Sequence, residues 1–311
     1  MRAVVARSFG EPPSVVEVPV PQPARHQVRI QVQAAAVNPV DRATQEGFLS
    51  AHRPGVVSPR EHIGLGWDVA GIVTETGADV AAFRPGDAVI GLRDRLDAAV
   101  GTFAEQVVLD AADVAAAPDG IDPVAASTIP LNGLTALQAL DALGLPAGDT
   151  ILVTGAAGGL GGFSVELAAL RGLRVTGAAG ESDEELVRTL GASQFVPRSA
   201  VSLADAVRDL VPGGAGAVLD AAALGFPAMD AVRHGGAYVN VTPLHLNPVR
   251  GIREVPVHIH ADGSALAALS LLAATGRLTL RVADTYPLEQ APAAFKMLAS
   301  GGLRGRLVLV P

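Results

Sequence analysis

Residues 150–162 read Thr-Ile-Leu-Val-Thr-Gly-Ala-Ala-Gly-Gly-Leu-Gly-Gly, with five glycines among eight consecutive residues, 155–162. Residues 151–153 form a short apolar run rich in β-branched side chains, as a buried parallel strand requires. Glycines then crowd a turn, and from Phe163 onward apolar residues recur at helical spacing. Without β-carbons, the backbone of such a turn can approach a pyrophosphate, which the N–H groups of the following helix attract. The stretch therefore predicts a dinucleotide-binding strand–turn–helix unit, with contacts from Gly155, Ala156, Ala157, Gly158, Gly159, Leu160 and Gly161.

The chain before this stretch is typical of a β domain. Short runs with high β-propensity alternate with turns rich in Gly and Pro, and residues 28–32 alternate apolar and polar side chains as a half-exposed strand does. Many short strands separated by such turns predict a barrel-like architecture. The predicted strands are 2–6, 14–18, 27–35, 68–76, 87–91 and 103–109.

From about residue 122 onward, helices and strands alternate, which predicts a doubly wound parallel sheet. After residue 277 the pattern returns to the first domain, with strands at 280–282 and 306–310 and a helix at 288–298. In the alternating region we expect strands at 151–154, 174–178, 194–197, 217–221, 237–241 and 255–259, and helices at 123–128, 134–143, 160–171, 182–190, 201–210, 226–233 and 264–275.

Composition excludes several classes of protein. The chain has 311 residues, 49% of them hydrophobic, and a mean hydropathy of +0.37, so it can bury a large core. A net charge of −8 and few aromatic residues argue against nucleic acid or an acidic membrane as a partner. The absence of Cys removes disulfides, thiolate nucleophiles and cysteine–zinc sites. With no apolar span and no basic-then-apolar leader, we expect a cytoplasmic protein.

Short motifs in a fixed order then point to one family. The chain resembles the medium-chain dehydrogenases/reductases, in their zinc-free, quinone oxidoreductase-like (zeta-crystallin-like) branch. The resemblance covers nearly the whole chain. It rests on Ala-Ala-Val-Asn-Pro-Val-Asp at 35–41, Gly-Trp-Asp-Val-Ala-Gly at 66–71, Phe-Arg-Pro-Gly-Asp-Ala-Val at 83–89, Gly-Thr-Phe-Ala-Glu at 101–105, Leu-Asn-Gly-Leu-Thr-Ala at 131–136, the glycine turn, Leu-Gly-Ala at 190–192, Asp220, and Arg-Gly-Arg-Leu-Val-Leu at 304–309.

The resemblance implies an α/β protein of two domains. A GroES-like β-barrel catalytic domain would comprise residues 1–122 and 277–311, and a Rossmann NAD(P)-binding domain residues 123–276. Members of the family usually pair their Rossmann sheets edge to edge. Residues 238–241 and 255–260 are candidate edge strands, and an apolar edge needs covering. We therefore expect a homodimer.

Zinc is not expected. In the zinc-dependent branch of the family, a Cys stands where this chain has Asn38, and a His–Glu pair where it has Trp67 and Asp68. The lobe with four cysteines is also missing. A tetrahedral zinc site needs thiolate or imidazole ligands, and these positions offer none. His258 and His260 lie two residues apart, which is more typical of a solvated strand edge than of a metal site.

The end of the second strand of the alternating region bears on the choice of nicotinamide nucleotide. In NAD-binding units an acidic residue there bonds the ribose 2′-OH, but this strand ends in Ala178, Ala179 and Gly180. That leaves room for a 2′-phosphate, to which Ser182 can donate a hydrogen bond and Arg198 can supply charge. The family's phosphate-binding Lys is missing, and acidic residues follow Gly180. We predict NADPH, with NADH as the less favoured alternative; Arg304 and Arg306 would add a basic wall or lie on the surface.

The resemblance also implies the catalytic side. It suggests Asn38, Asp41 and Thr135 near the nicotinamide or substrate. Asn38 would donate to an oxyanion or to the carboxamide, Thr135 would hold the nicotinamide, and Asp41 would relay a proton or orient Arg42. The alternatives are a turn residue for Asn38 and helix caps for Asp41 and Thr135. Ala222, Thr242 and Pro243 follow the fourth and fifth strands, at the sheet edge where a nicotinamide rests.

A conjugated acceptor fits a site without a Lewis acid, because a quinone or enone spreads the arriving charge over its own oxygen. We therefore expect an NADPH-dependent, zinc-independent reductase of a quinone or α,β-unsaturated ketone. Relatives often carry a Tyr in a Gly-x-Tyr context, where this chain reads Gly47-Phe48-Leu49, so the proton donor stays open. Two alternatives remain: an enoyl-thioester reductase of the polyketide type, and a non-catalytic NADPH-binding redox sensor.

Overall fold

A computed structural model describes residues 1–52, 61–95, 98–242 and 245–311, which divide into two compact units. Unit 1 comprises Met1–Leu134, His260–Gly276 and Leu280–Pro311, and unit 2 comprises Thr135–Ile259 and Arg277–Thr279. The strands, in chain order, are β1 (Arg2–Ala6), β2 (Ser14–Glu17), β3 (Gln27–Val37), β4 (Ile63–Gly64), β5 (Asp68–Thr76), β6 (Ala88–Leu92), β7 (Gln106–Asp110), β8 (Val114–Ala116), β9 (Thr150–Thr154), β10 (Arg174–Ala179), β11 (Gln194–Pro197), β12 (Ala215–Asp220), β13 (Val232–Asn240), β14 (Arg253–Pro256), β15 (Val282–Pro287) and β16 (Arg306–Val310).

The helices follow the same order. They are α1 (Pro39–Gln45), α2 (Phe48–His52), α3 (Pro123–Ala126), α4 (Pro130–Leu143), α5 (Gly159–Leu170), α6 (Glu184–Thr189), α7 (Leu203–Leu210), α8 (Phe226–Met229), α9 (Gly263–Ala274) and α10 (Ala291–Ser300), with short 3₁₀ turns at Ala111–Asp113, Glu181–Asp183 and Leu288–Gln290. Within the described residues, every helix is too short or too polar to cross a lipid bilayer.

Unit 1 is built around two mainly antiparallel sheets. One has the order β2-β1-β4, and the other β15-β16-β3-β5-β6-β8, with β7 also paired to β3. Alternate residues of β3 are buried along its first half, as the sequence pattern predicts for a strand with one face on a core. The rings of Phe103 and Phe295 meet edge to face in that core, with centroids 6.3 Å apart. The predicted GroES-like β architecture is confirmed.

Unit 2 contains a parallel sheet with the order β11-β10-β9-β12-β13-β14. Strands β9 and β12 are buried along their whole length, which explains why they read as continuous apolar runs. The chain order reverses between them, and the carboxyl ends of strands at such a point form the usual ligand crevice of this fold. The predicted doubly wound Rossmann architecture is confirmed.

Several predicted boundaries differ from the structure. The expected helix 226–233 ends at Met229, because Val232 is fully buried and pairs with Ala215 as the first residue of β13. The expected strand 280–282 is replaced by β15, which begins at Val282. Helix 134–143 begins four residues earlier, at Pro130, so Thr135 lies inside it and is not its cap.

Helix α9 groups with unit 1, whereas the predicted domain boundary at residue 276 assigns it to the nucleotide-binding domain. The physical reason is its packing on β8. The hydroxyl of Ser270 donates to the carbonyl oxygen of Ala116 at 2.9 Å. A β-carbon on Gly263 would stand 2.6 Å from the carbonyl oxygens of Ala112 and Val114, so the helix begins in close backbone contact with that strand.

Candidate functional site

The glycine turn after β9 has the geometry of an anion site. Gly155 has a φ of +60°, which favours glycine. A β-carbon on Gly161 would lie 2.0 Å from the Gly155 carbonyl oxygen, so only glycine allows the turn to fold back on itself. Gly158 caps α5 without offering a side-chain acceptor, and the first turn of the helix, at Gly159 and Leu160, is partly accessible. The N-terminus of a helix attracts anions, so the start of α5 could hold a ligand of the pyrophosphate type.

The two alanines of the turn are buried and hold it to the sheet. The N–H of Ala156 donates to the carbonyl oxygen of Ala178 at 3.0 Å, which ties the turn to the end of β10. A β-carbon on Gly177 would stand 3.2 Å from the Ala156 methyl group and 2.3 Å from Val187. Ala156 and Ala157 therefore shape the turn from behind, and the glycines form its open side.

The expected 2′-phosphate residues gather where β10 and β11 end. Gly180 follows β10 directly, and the N–H of Arg198 donates to the Ala179 carbonyl oxygen at 2.6 Å. Ser182 and Arg198 are both exposed. A residue that the sequence reasoning omitted also lies here, since the Ser199 hydroxyl donates to the Glu181 carboxylate and draws that charge toward the end of β11. Gly180, Ser182 and Arg198 thus share one end of the sheet.

Two further predicted contacts lie at the same edge of unit 2. The Ala222 methyl group lies beside the turn, since a β-carbon on Gly155 would stand 3.3 Å from it. Thr242 donates from both its backbone N–H and its hydroxyl to the Asn240 side-chain oxygen, at 2.9 and 2.8 Å. Pro243 lies outside the described residues.

A buried polar cluster in unit 1 joins four distant parts of the chain. The Asn38 side-chain amide donates to Asp68 Oδ2 at 2.6 Å and to the Ala36 carbonyl oxygen at 3.2 Å. Its oxygen accepts from Asn132 Nδ2 at 2.9 Å, and Arg306 in turn donates to the Asn132 side-chain oxygen. Asn38 and Asp68 are fully buried. The Asn38 amide therefore has both hydrogens and its oxygen engaged within the protein.

Asp41 and Asp68 serve mainly as acceptors for backbone groups. Asp41 accepts from Asn38 N at 2.7 Å and Gly66 N at 3.0 Å, which fixes the start of α1 against the loop before β5. Asp68 Oδ1 accepts from Leu131 N at 2.6 Å and so caps α4. Burial raises the pKa of Asp41 to about 8 and that of Asp68 to about 7, against the opposing effect of these hydrogen bonds.

The remaining candidates of the catalytic side are placed as follows. Thr135 is buried in the second turn of α4, in unit 2. Arg42 pairs with Glu46 one turn along α1, so Asp41 does not orient it. Arg304 is exposed in unit 1 and donates to the Gly302 carbonyl oxygen at 2.8 Å. The functional roles of Asn38, Asp41, Thr135 and Arg304 stay predictions.

The sequence reasoning did not include Asn132 and Asp68 among the site residues. Each has a local signal. Asn132 is an amide that follows apolar residues at the start of a helix, and Asp68 is a carboxylate at the start of a buried strand. Buried polar groups must find partners, so each isolated one in an apolar run indicates a network. Within the described residues, no group of three or more His, Cys, Asp or Glu side chains has an arrangement that could hold a metal ion.

Comparison with known proteins agrees with this architecture. The chain matches the alcohol dehydrogenase GroES-like domain over residues 24–119 and the zinc-binding dehydrogenase domain over residues 190–309. Among solved structures, it superposes on a quinone oxidoreductase from Coxiella burnetii with a TM-score of 0.87 at 26% identity, covering 100% of this chain and 99% of that one. An NAD-dependent alcohol dehydrogenase gives a TM-score of 0.86 at 29% identity, with full coverage of both chains.

Relatives in sequence have related names. A polyketide synthase system protein, NorB of Streptomyces orinoci, is 31% identical over 91% of this chain, and the match spans 13% of its own length. The chloroplast envelope quinone oxidoreductase homolog of Arabidopsis thaliana is 37% identical over 58% of this chain and 55% of its own. The NADPH-dependent alkenal/one oxidoreductase of the same plant is 29% identical over 94% of this chain and 74% of its own.

Fold, motifs and relatives together place the chain in one family. It belongs to the medium-chain dehydrogenase/reductase family of oxidoreductases. The chain spans only 13% and 55% of the first two relatives, so what those proteins do as wholes is not transferred to it. Some relatives are named for chloroplasts, and the expected cytoplasmic location stays a prediction.

Proposed function

We propose that this protein is an NADPH-dependent reductase of a quinone or α,β-unsaturated ketone, acting without zinc. One combined observation carries the proposal. The glycine turn is partly accessible, strand β10 contains no acidic residue, and the exposed Arg198 lies next to the carboxyl end of that strand. The names of the quinone and alkenal/one oxidoreductase relatives support it.

The residues of unit 2 fit the nucleotide. A β-carbon on Gly161 would fill the space that the folded-back turn needs, and the first turn of α5 has no side-chain cap to compete with a phosphate. When bound, NADPH supplies the hydride. In this proposal Arg198 and Ser182 would hold the 2′-phosphate, Ala222 and Thr242 would border the nicotinamide end, and Thr135 would hold the ring.

The residues of unit 1 act indirectly in this proposal. The Asn38 amide is already engaged by Asp68, Ala36 and Asn132, and both oxygens of Asp41 hold backbone N–H groups. Asn38 and Asp41 are therefore positioning residues, which keep the end of β3 and the start of α1 in one conformation. With a conjugated acceptor, neither Asn38 nor Asp41 needs to contact the substrate. The acceptor's own oxygen takes up the charge of the reduced product, and water protonates that product.

Arg198→Ala tests the choice of nucleotide. We expect the Michaelis constant for NADPH to rise about tenfold and that for NADH to change less than about twofold, because only NADPH carries the phosphate. Arg174→Ala is the matched control, since Arg174 is also exposed but lies at the amino end of β10. Equal rises for both nucleotides would remove Arg198 from the phosphate site and favour NADH, the nucleotide in the name of one structural neighbour.

A second candidate is an enoyl-thioester reductase, which the match to a polyketide synthase protein favours. Rates of NADPH oxidation with a panel of quinones, enones and enoyl thioesters separate the two. The proposal predicts the highest kcat/KM for a quinone or enone, and a preference for a thioester would replace it. Tight NADPH binding with no turnover of any acceptor would instead indicate a non-catalytic redox sensor.

The expected homodimer is proposed on the same footing. Strand β14 is paired only with β13 within the described residues, so its outer edge offers backbone groups to a second copy. Light scattering with size-exclusion chromatography should give twice the chain mass of 31.5 kDa. A mass equal to one chain would contradict it.

A further inference from the structure

A second buried polar network lies at the carboxyl ends of β9 and β12, and the proposed reaction gives it no role. The Thr154 hydroxyl donates to Asp220 Oδ1 at 2.6 Å, and the Tyr238 hydroxyl donates to Asp220 Oδ2 at 2.7 Å. All three residues are completely buried. Burial, and next the bond to Asp220, raises the pKa of the Tyr238 phenol, so that it stays a donor.

The same network reaches the loop that follows β12 at two points. Asp220 Oδ2 also accepts from Gly225 N at 2.8 Å. The Thr154 hydroxyl oxygen accepts from Ala222 N at 3.0 Å while its hydrogen points to Asp220. A carboxylate can accept from three donors in this way, whereas an amide has a single acceptor oxygen. The arrangement therefore requires the carboxylate itself.

Between these two anchors the backbone is strained. Ala223 has a φ of +54°, a left-handed conformation that side chains other than glycine seldom adopt. The bonds to Ala222 and Gly225 lie on either side of it. Strained residues persist where the surrounding structure over-determines them, and they are concentrated at ligand sites. The two bonds of the network therefore lie on either side of the strained residue.

The strained loop lies beside the glycine turn. Ala222 is the residue whose methyl group would stand 3.3 Å from a β-carbon on Gly155, and Thr154 directly precedes that glycine. One hydroxyl thus connects the start of the turn with the neighbouring loop. A change in the network would therefore alter the contact between the two backbone segments.

We propose that Thr154, Asp220 and Tyr238 are positioning residues for the nicotinamide nucleotide, which set the conformation of residues 221–225 beside the glycine turn. The inference rests on the proposed function, because it presumes that a nucleotide binds there. It predicts that losing the network weakens nucleotide binding, while the chemical step at saturating nucleotide changes little.

The chain offers a matched pair of threonines for the test. Thr150 lies at the amino end of β9, and its hydroxyl oxygen accepts from Gly216 N at 2.8 Å. Thr154 makes the corresponding bond to Ala222 at the carboxyl end of the same two strands. Thr150→Val and Thr154→Val therefore remove the same kind of group from the same strand, at opposite ends. Thr154→Ser is a further control, because it keeps a hydroxyl at position 154.

Titration with NADPH followed by nucleotide fluorescence gives the dissociation constants, and hydrogen exchange reports on the amides of Ala222 and Gly225. For Thr154→Val we expect the dissociation constant of NADPH to rise about tenfold, which is the effect of losing one buried hydrogen bond. We also expect faster hydrogen exchange at the amides of Ala222 and Gly225. Thr150→Val and Thr154→Ser should stay within about threefold of the original chain. At saturating NADPH, kcat should fall less than about threefold.

Unchanged affinity and exchange in a folded Thr154→Val protein would overturn the inference, as would an equal loss in Thr150→Val. If Thr154→Val does not fold, Tyr238→Phe replaces it, because it removes only one hydroxyl from Asp220; its affinity must fall as well. A wild-type protein that binds neither NADPH nor NADH would refute the proposed function. In that case faster exchange in Thr154→Val would still show that the network orders the loop.

Discussion

At the scale of single residues, Asp68 connects two parts of unit 1 through its two carboxylate oxygens. One of its oxygens caps α4 through Leu131 N, and the other holds the Asn38 amide. Burial raises its pKa to about 7 and that of Asp41 to about 8. The folded protein therefore binds these two protons more tightly than the unfolded chain does. Their contribution to stability is present in full below pH 3.8, the ordinary pKa, and is lost as the pH rises through about 7 and then about 8.

Asp68→Asn tests this ionisation. The amide cannot accept from both Leu131 and Asn38, so we expect a loss of about 1–3 kcal/mol at low pH. The difference in unfolding free energy between the original chain and Asp68→Asn should become smaller as the pH rises from about 4 to about 7, by at most about 1.4 kcal/mol per pH unit. The reason is that only the original chain must ionise a buried carboxyl at position 68.

Urea unfolding followed by circular dichroism across this pH range measures the gap. Asp119→Asn is the control, because Asp119 is exposed, and its gap should stay near zero at every pH. A gap for Asp68→Asn that widened with pH would mean that Arg306 and the hydrogen bonds outweigh desolvation in this cluster.

At the scale of elements, α9 shows how packing assigns a helix to a unit. Leu269 is 1% exposed. A β-carbon on Gly133 of α4 would stand 2.9 Å from the Leu269 side chain, so α9 packs closely on the start of α4. Leu271, two residues further along the same helix, is 65% exposed. We expect Leu269→Ala to lower the free energy of unfolding by about 2–5 kcal/mol, because it leaves a cavity.

Leu271→Ala removes the same atoms from the exposed face of α9 and should change stability by less than about 0.5 kcal/mol. Chemical denaturation of the two variants side by side gives the comparison. Similar losses in both would show that helix propensity, and not burial against unit 1, decides the stability of this segment.

Elements whose signals are local could be predicted. The segment β9–turn–α5 was expected at 151–154 and 160–171 and is found within one residue at each end, because glycines, apolar runs and helical spacing all lie within twenty residues. Helix α1 also carries local signals, with Pro39 at its first position and Asp41 at its third, but its seven residues were not predicted. The error at 226–233 is different in kind, since Val232 becomes a strand residue only through its pairing with Ala215.

At the scale of the whole molecule, the order of the motifs predicted the family and both architectures, whereas the polar clusters could not be predicted. The contact between Asn132 and Arg306 joins residues 174 positions apart, and no local pattern encodes it. The same holds for Thr154 and Asp220, which are 66 positions apart and meet only because β9 and β12 are neighbours in the sheet. Local rules give elements, and the sheet order decides which polar side chains meet.

The proposed independence of zinc concerns the whole protein and can be tested on it. Asn38 and Asp68 are joined to each other by a hydrogen bond of 2.6 Å, and neither offers the thiolate or imidazole that a tetrahedral zinc site needs. We expect that dialysis against a chelator leaves activity and melting temperature unchanged and that metal analysis finds zinc well below one atom per chain. Activity that is lost on chelation and restored by zinc would contradict this, and would fit the name of the matching zinc-binding dehydrogenase domain.

The sheet order of unit 1 has a consequence for how the protein is made. Strand β16 lies between β15 and β3, so an interior position of this sheet, second from its edge, is filled by residues 306–310. A ribosome releases these residues only after all of unit 2, which can fold by then because its strands come from one continuous stretch. Until β16 emerges, the backbone of residues 35–37 in β3 lacks its partner strand. During synthesis, this unpaired edge can template pairing with another strand until β16 emerges.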